Sequence, residues 1–147
     1  MNTTSSDVII KLLGAGDDAV LQMVAPDVFD DPIHPTATAQ FLTDPNHCLA
    51  VAINNGVVIG FVSAVRYFHP DKPNPELWIN EVGVAAAHRG QGIARQLMGA
   101  MLNEARRLDC TQAWVLTNRS NHVAMSLYAS CGGIAAPADA VMFEFNF

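Results

Sequence analysis

The run over residues 77–107, LWINEVGVAAAHRGQGIARQLMGAMLNEARR, constrains the fold of this chain more than any other stretch. It passes from an apolar strand, through a loop rich in small residues, into a long amphipathic helix. The loop Arg89-Gly90-Gln91-Gly92-Ile93-Ala94 stands where that helix begins. Its two glycines carry no side chains to block the backbone, so consecutive N–H groups can close around an anion. The helix N-terminus adds donors without helical partners and a favourable dipole, and Arg89 adds a full positive charge.

The remaining chain supplies elements to set around this turn. Residues 8–13 read as a first strand ended by Gly14-Ala15-Gly16. Asp17 is expected to cap a short helix stopped by Pro26, and Thr36 a second one ending before Pro45. The segment 27–35, DVFDDPIHP, is acidic and broken by prolines, so it cannot be a continuous helix. Residues 48–53 and 57–68 form β-rich runs joined by Asn54-Asn55-Gly56, a strong hairpin signal. The nearly continuous apolar character of residues 77–84 predicts a central strand. The helix over about 92–108 carries Ile93, Leu97, Met98, Met101, Leu102, Ala105 and Leu108 on one face. Residues 112–117 predict a further strand, with Trp114, Val115 and Leu116 suited to a buried sheet. Asn121 is placed to cap a helix that carries Ala124, Leu127, Tyr128 and Cys131 and ends at Gly132-Gly133. The alternation of Val141, Phe143, Phe145 and Phe147 predicts a last strand. Together these make a single mixed α/β domain over residues 1–147.

Composition narrows the partners. Fourteen acidic against eight basic residues give a net charge of −6, which argues against nucleic acid or an anionic membrane and favours a cationic partner. No apolar run approaches the ~20 residues of a membrane span, and the N-terminus lacks the basic start and long apolar core of a secretory signal. A cytoplasmic protein is expected. Cys48, Cys110 and Cys131 have no metal-binding spacing and read as reduced, buried thiols. The five histidines show no ligand pairing, so no metal is expected.

Three phosphate-binding loops compete for residues 89–94. A Walker loop needs a lysine that is missing here, and a dinucleotide fingerprint needs a third glycine where Arg95 stands. The third is a resemblance. Arg89-Gly90-Gln91-Gly92-Ile93-Ala94 matches the Arg/Gln-x-x-Gly-x-Gly/Ala loop of the GNAT acyltransferases. Asn121, Ala124, Tyr128 and Gly132 reproduce that family's Asn-x-x-Ala-x-x-x-Tyr-x-x-x-Gly spacing. Within the superfamily the chain is most similar to the aminoglycoside 3-N-acetyltransferases, through the strand 76–84, its spacing into His88-Arg89, and residues 124–128. It departs from them at Glu81, Asn80 and Gly90, where that group has aspartate, tyrosine and a second arginine, and at Gly132-Gly133 in place of Gly-Phe.

The resemblance implies a GNAT fold, a mixed, mostly antiparallel central sheet flanked by helices. It implies transfer of acetyl from acetyl-CoA to a primary amine, most specifically the 3-amino group of an aminoglycoside antibiotic, conferring resistance. Val82 and Val84 would offer backbone groups to the pantetheine arm, the amides of Arg89, Gly90, Gln91, Gly92, Ile93 and Ala94 would hold the pyrophosphate, and Asn121 would touch the arm. Tyr128 would protonate the departing thiolate. Glu81 would be the base. Ile79, Glu81 and Gly83 are expected on one strand face, a lone carboxylate in an apolar strand is costly to bury unpaired, and desolvation makes a carboxylate a stronger base. The alternative for Glu81 is a structural ion pair, and for Tyr128 a core aromatic. Asp30, Asp31, Glu76, Asp139 and Glu144 are candidates to bind the cationic substrate. A homodimer is expected. The competing functions are acetylation of another small amine, amino acid or peptide, and a non-catalytic acyl-CoA-binding module.

Overall fold

Apolar runs separated by short turns pair as antiparallel neighbours, and a long helix between two strands lets the pair run parallel. The computed structural model, which describes residues 7–137 and 139–147, follows this rule. Strands β1 (Ile9–Leu13), β2 (His47–Asn54), β3 (Val57–Tyr67), β4 (Glu76–Val84) and β5 (Ala113–Val115) form one sheet in that order. β1 to β4 pair antiparallel and β4 pairs parallel with β5, the mixed, mostly antiparallel sheet expected. The β2–β3 hairpin turns on Asn55 and Gly56, whose φ values of 49° and 78° are the left-handed pair a type I′ turn requires. The helices are α1 (Pro35–Thr43), α2 (Ile93–Arg107) and α3 (His122–Ser130). Among the described residues no helix is long and apolar enough to cross a membrane. The chain divides into two compact units, one ending at Leu116 and one comprising Thr117–Phe147.

In the first unit, strand register sorts side chains onto two faces. Gly60, Val62 and Ala64 of β3 lie on one face with Ile79, Val82 and Val84 of β4. α2 packs there: a Cβ on Gly60 would come 3.2 Å from the Leu97 side chain. Leu97 and Met101 are wholly buried, each contributing about 1.5–3 kcal/mol. Leu49, Phe61 and Ser63 lie on the other face, beneath a lobe made of a 3-10 turn (Asp18–Gln22), an irregular loop and α1.

Both expected caps in this lobe are corrected. The α1 cap is His34, whose Nδ1 accepts the Ala37 N–H at 3.2 Å, with Pro35 rather than Thr36 opening the helix. Asp17 caps nothing. Its carboxylate accepts the Gly14 N–H at 2.9 Å and faces Lys11, and these bonds, the backbone one first, hold its carboxyl below the usual carboxylate range.

The second unit begins with α3 as expected. Asn121 Oδ1 accepts the Ala124 N–H at 3.1 Å. Gly132, at φ 90°, donates to Ala129 and Gly133 to Tyr128, a Schellman closure that satisfies the last carbonyls. The strand expected over 141–147 is not formed, and Val141, Phe143, Phe145 and Phe147 are exposed. Alternation specifies a strand only where a neighbouring backbone completes the ladder. β5 is likewise shorter than expected, with Trp114 and Val115 half-buried and Leu116 exposed. Of the three cysteines, all free, only Cys48 is buried. Burial pushes its thiol up to about 11, which leaves it inert.

Candidate active site

The site is set by one extra residue in β4. Ser63 pairs with Glu81 but Ala64 pairs with Ile79, so Asn80 is left over as a β-bulge. Cross-strand partners share a face and neighbours along a strand do not. Ile79 therefore points to α2 and is buried, whereas Glu81 points with Ser63, Phe61 and Gly83 to the opposite face. The expected sharing of one face by Ile79, Glu81 and Gly83 is thus corrected for Ile79. Glu81 is not buried either. It is exposed to a cleft, and its carboxylate makes no hydrogen bond or ion pair with any described residue, so no structural ion pair is formed with them.

The same strand offers a backbone edge. Ala85 donates its N–H to Ile59 of β3 at 2.8 Å. Alternation then turns the polar backbone groups of Val84 and Val82 away from β3. On that side β5 pairs with β4 only as far as Ile79 and does not cover the backbone of Val82 and Val84. The Arg89 guanidinium reaches back to the Val84 carbonyl at 3.1 Å, so Val84 offers its N–H while its carbonyl is engaged. Gly90 and Gly92 have φ of 74° and 77°, and nothing lies within 4 Å of where their Cβ atoms would stand. Gly92 is the N-cap of α2. The loop is therefore an open concave turn of backbone amides ahead of a fifteen-residue helix, a geometry suited to a pyrophosphate.

The cleft at Glu81 lies between the lobe and the sheet and has a volume of about 220 Å³. Leu21, Phe29, Ile33, Phe41 and Phe61 line it, with Ser63 and Glu81 at its polar end. Phe29 stacks on Phe61 with ring centroids 4.1 Å apart. A Cβ on Gly83 would fall 2.8 Å from the Phe61 ring and 2.7 Å from the Val28 carbonyl, so only glycine lets that ring sit beside Glu81.

Of the acidic residues expected around the substrate, Asp30, Asp31 and Glu76 of the first unit are not gathered here. Asp30 and Asp31 are exposed on the loop, while their neighbours Phe29 and Ile33 line the cleft. Glu76 is engaged: its Oε2 lies 2.7 Å from His69 Nε2 and accepts the Tyr67 hydroxyl at 2.9 Å, bonds that hold its carboxyl below the usual range. Asp27 has a role the sequence did not reveal. Its Oδ2 accepts the Ala86 N–H at 2.7 Å and ties the lobe to the segment leaving β4. The aromatic lining was also missed, because Phe29, Phe41 and Phe61 are distant in sequence and read as core.

In the second unit, Asn121 is committed as the α3 cap, Tyr128 is half-buried, and Asp139 and Glu144 are exposed. Burial raises the Tyr128 hydroxyl above its ordinary value, with Cys131 adding to the shift, so it holds its proton at neutral pH. Among the described residues no cluster of His, Cys, Asp or Glu is arranged to hold a metal.

A family model described as Acetyltransferase (GNAT) family matches residues 18–133, which include the bulged strand, the glycine loop and α3. The chain belongs to the GNAT acetyltransferase family. Its five-stranded mixed sheet is the GNAT fold, shared with a soil-metagenome aminoglycoside acetyltransferase at a TM-score of 0.77 (18% identity, 95% of this chain and 96% of that one). The ribosomal-protein-alanine N-acetyltransferase of Brucella melitensis biovar Abortus 2308 has the same fold, at a TM-score of 0.71 (23% identity, 96% and 100% coverage). In sequence, this GNAT chain is 34% identical over 82 residues to the rat N-acetyltransferase family 8 member 2 (56% of this chain, 36% of that one). It is 30% identical over 105 residues to the Mycobacterium tuberculosis N-alpha-acetyltransferase RimI (71% and 63%). The matched part spans about two-fifths of the length of the rat relatives.

Proposed function

We propose that this chain transfers acetyl from acetyl-CoA directly to a primary amine, with Glu81 as the base. The observation that carries this reading is the unpaired carboxylate turned into the cleft by the bulge at Asn80, on the strand whose Val82 and Val84 present a backbone edge. An amine arrives as an ammonium and cannot attack until it loses a proton, and Glu81 takes it, directly or through water. The amine lone pair then forms the C–N bond to the thioester carbonyl, the nitrogen gives up its second proton to solvent, and the C–S bond breaks with its electron pair leaving on sulfur. The resemblance to the family assigns to Tyr128, protonated at neutral pH, the proton that converts thiolate to thiol. The amides of residues 89–94 hold the pyrophosphate, and Val82 and the Val84 N–H hold the pantetheine arm, which fixes the carbonyl beside the incoming amine. Both glycines leave the mouth of the loop open, as a bound pyrophosphate needs. The relatives named N-acetyltransferases support this chemistry, as does a structural neighbour bound to CoA.

Within the amine class, an aminoglycoside draws support from the −6 charge and from the fold shared with enzymes of that kind, one of them bound to sisomicin. The 3-amino position comes only from the resemblance carried by the strand 76–84, its spacing into His88-Arg89 and residues 124–128, and a 6′-acting enzyme shares the fold equally. A peptide N-terminus is the second reading, favoured by the identity to RimI. The deciding experiment for catalysis is Glu81→Gln. Turnover of the best amine should fall by roughly 10²–10⁴-fold with acetyl-CoA affinity unchanged by calorimetry. An unaltered rate and pH–rate profile removes Glu81 from the mechanism.

A further inference from the structure

We infer that the acceptor amine is carried on a compact apolar body about the size of one aromatic ring, an arylalkylamine, seated between α1 and the sheet with its ammonium at Glu81. This acceptor class rests on the acetyl-transfer reading and adds the shape and charge of the substrate to it.

Three observations converge. First, the described residues of the first unit give the cleft one ionisable group. Among them Glu81 is the only charged residue that lines it, which matches one ammonium. A polyamino sugar or a polyamine needs several carboxylates, and the candidates for that duty are elsewhere: Glu76 is engaged by His69 and Tyr67, and Asp30 and Asp31 face solvent on the loop. Second, the wall away from Glu81 is built of rings and branched chains. Phe41 of α1 and Ile33 line it with the stacked pair Phe29 and Phe61, and Thr38 is the one hydroxyl residue that α1 adds, so a sugar's many hydroxyls would lose more water than this wall can replace. Third, about 220 Å³ lies below the ~300–1,000 Å³ of pockets that take drug-sized ligands, which is too small to enclose a multi-ring sugar and matches a single ring on a short chain. Gly83 contributes by letting the Phe61 ring close in beside the carboxylate, so that apolar wall and base adjoin.

The test uses the full chain with saturating acetyl-CoA, and acetylated product is measured by mass for 2-phenylethylamine, ethylamine, spermidine and a gentamicin-type aminoglycoside. The expected kcat/KM for 2-phenylethylamine exceeds that for ethylamine by at least about tenfold, through KM, because the ring fills an apolar cleft. Phe41→Ala should collapse that ratio toward one, and Phe41→Leu should keep most of it. A ratio near one in the wild type, or better turnover of spermidine or the aminoglycoside, overturns the inference. Should no amine be acetylated although acetyl-CoA binds, the catalytic reading has failed, and calorimetry then tests the cleft by itself. Tighter binding of 2-phenylethylamine than of ethylamine supports the cleft assignment, and binding of neither overturns it.

Discussion

Gly83 and Glu81 are two residues apart on β4 and depend on each other. The carboxylate is useful because a ring lies beside it, and the ring lies there because residue 83 has no side chain. Gly83→Ala would push a methyl group against the Phe61 ring and the Val28 carbonyl, one of which must move. Overpacking of this kind costs about 1–3 kcal/mol. The variant is expected to unfold at correspondingly lower urea and to lose amine affinity before acetyl-CoA affinity, since Phe61 is displaced and the glycine loop is not. The identity of Glu81 as the one carboxylate in the apolar run 77–84 was legible in the sequence. Its direction was not. Period-two alternation sets Ile79 and Glu81 on one face, and a single bulged residue, which leaves no compositional trace, reverses that.

At the scale of elements, the glycine loop and α2 behave as one unit. Gly92 is both the N-cap of α2 and a left-handed residue, so a β-branched substitution there strains the backbone as well as filling the cradle mouth. Gly92→Val should cost about 1–2 kcal/mol of stability and abolish acetyl-CoA binding. Thermal unfolding reads the first effect and calorimetry the second. A destabilised variant that binds acetyl-CoA like the wild type would refute the cradle. α2 and the Asn-Gly hairpin were read correctly because their signals are local: a seven-residue apolar face, two glycines, one dipeptide. The short elements were read less well. Asp17 and Thr36 have the chemistry of caps, yet Asp17 is drawn to Gly14 and Lys11, and His34 stands one position ahead of Pro35 and takes the cap.

Across the sheet, one hydrogen-bonded chain ties three strands together. The Trp114 indole N–H donates to the Tyr67 hydroxyl, which donates to Glu76, joining β5, β3 and β4, and Trp78 stacks on Trp114. Glu76 is held below the ordinary carboxylate value by His69 first and Tyr67 second. A carboxyl lowered in the folded state stabilises above its unfolded pKa of about 4.3, and that stability is lost as pH falls through the lowered folded value. Glu76→Gln should therefore be less stable than the wild type at neutral pH, with the gap closing in acid, as urea midpoints measured across pH will reveal. A gap constant with pH would mean that the Glu76 charge contributes nothing. The sequence by itself determined the family, the order of the elements as far as α3 and the glycine turn at the head of α2, because each of these is written in contiguous residues whose spacing carries the physics. Tertiary structure alone decided where Glu81 points, that Glu76 serves the sheet and does not line the cleft, and that rings from the 27–35 loop, α1 and β3 line the cleft beside Glu81. These depend on register, on a bulge, and on side chains brought together from distant positions, none of which a local pattern encodes.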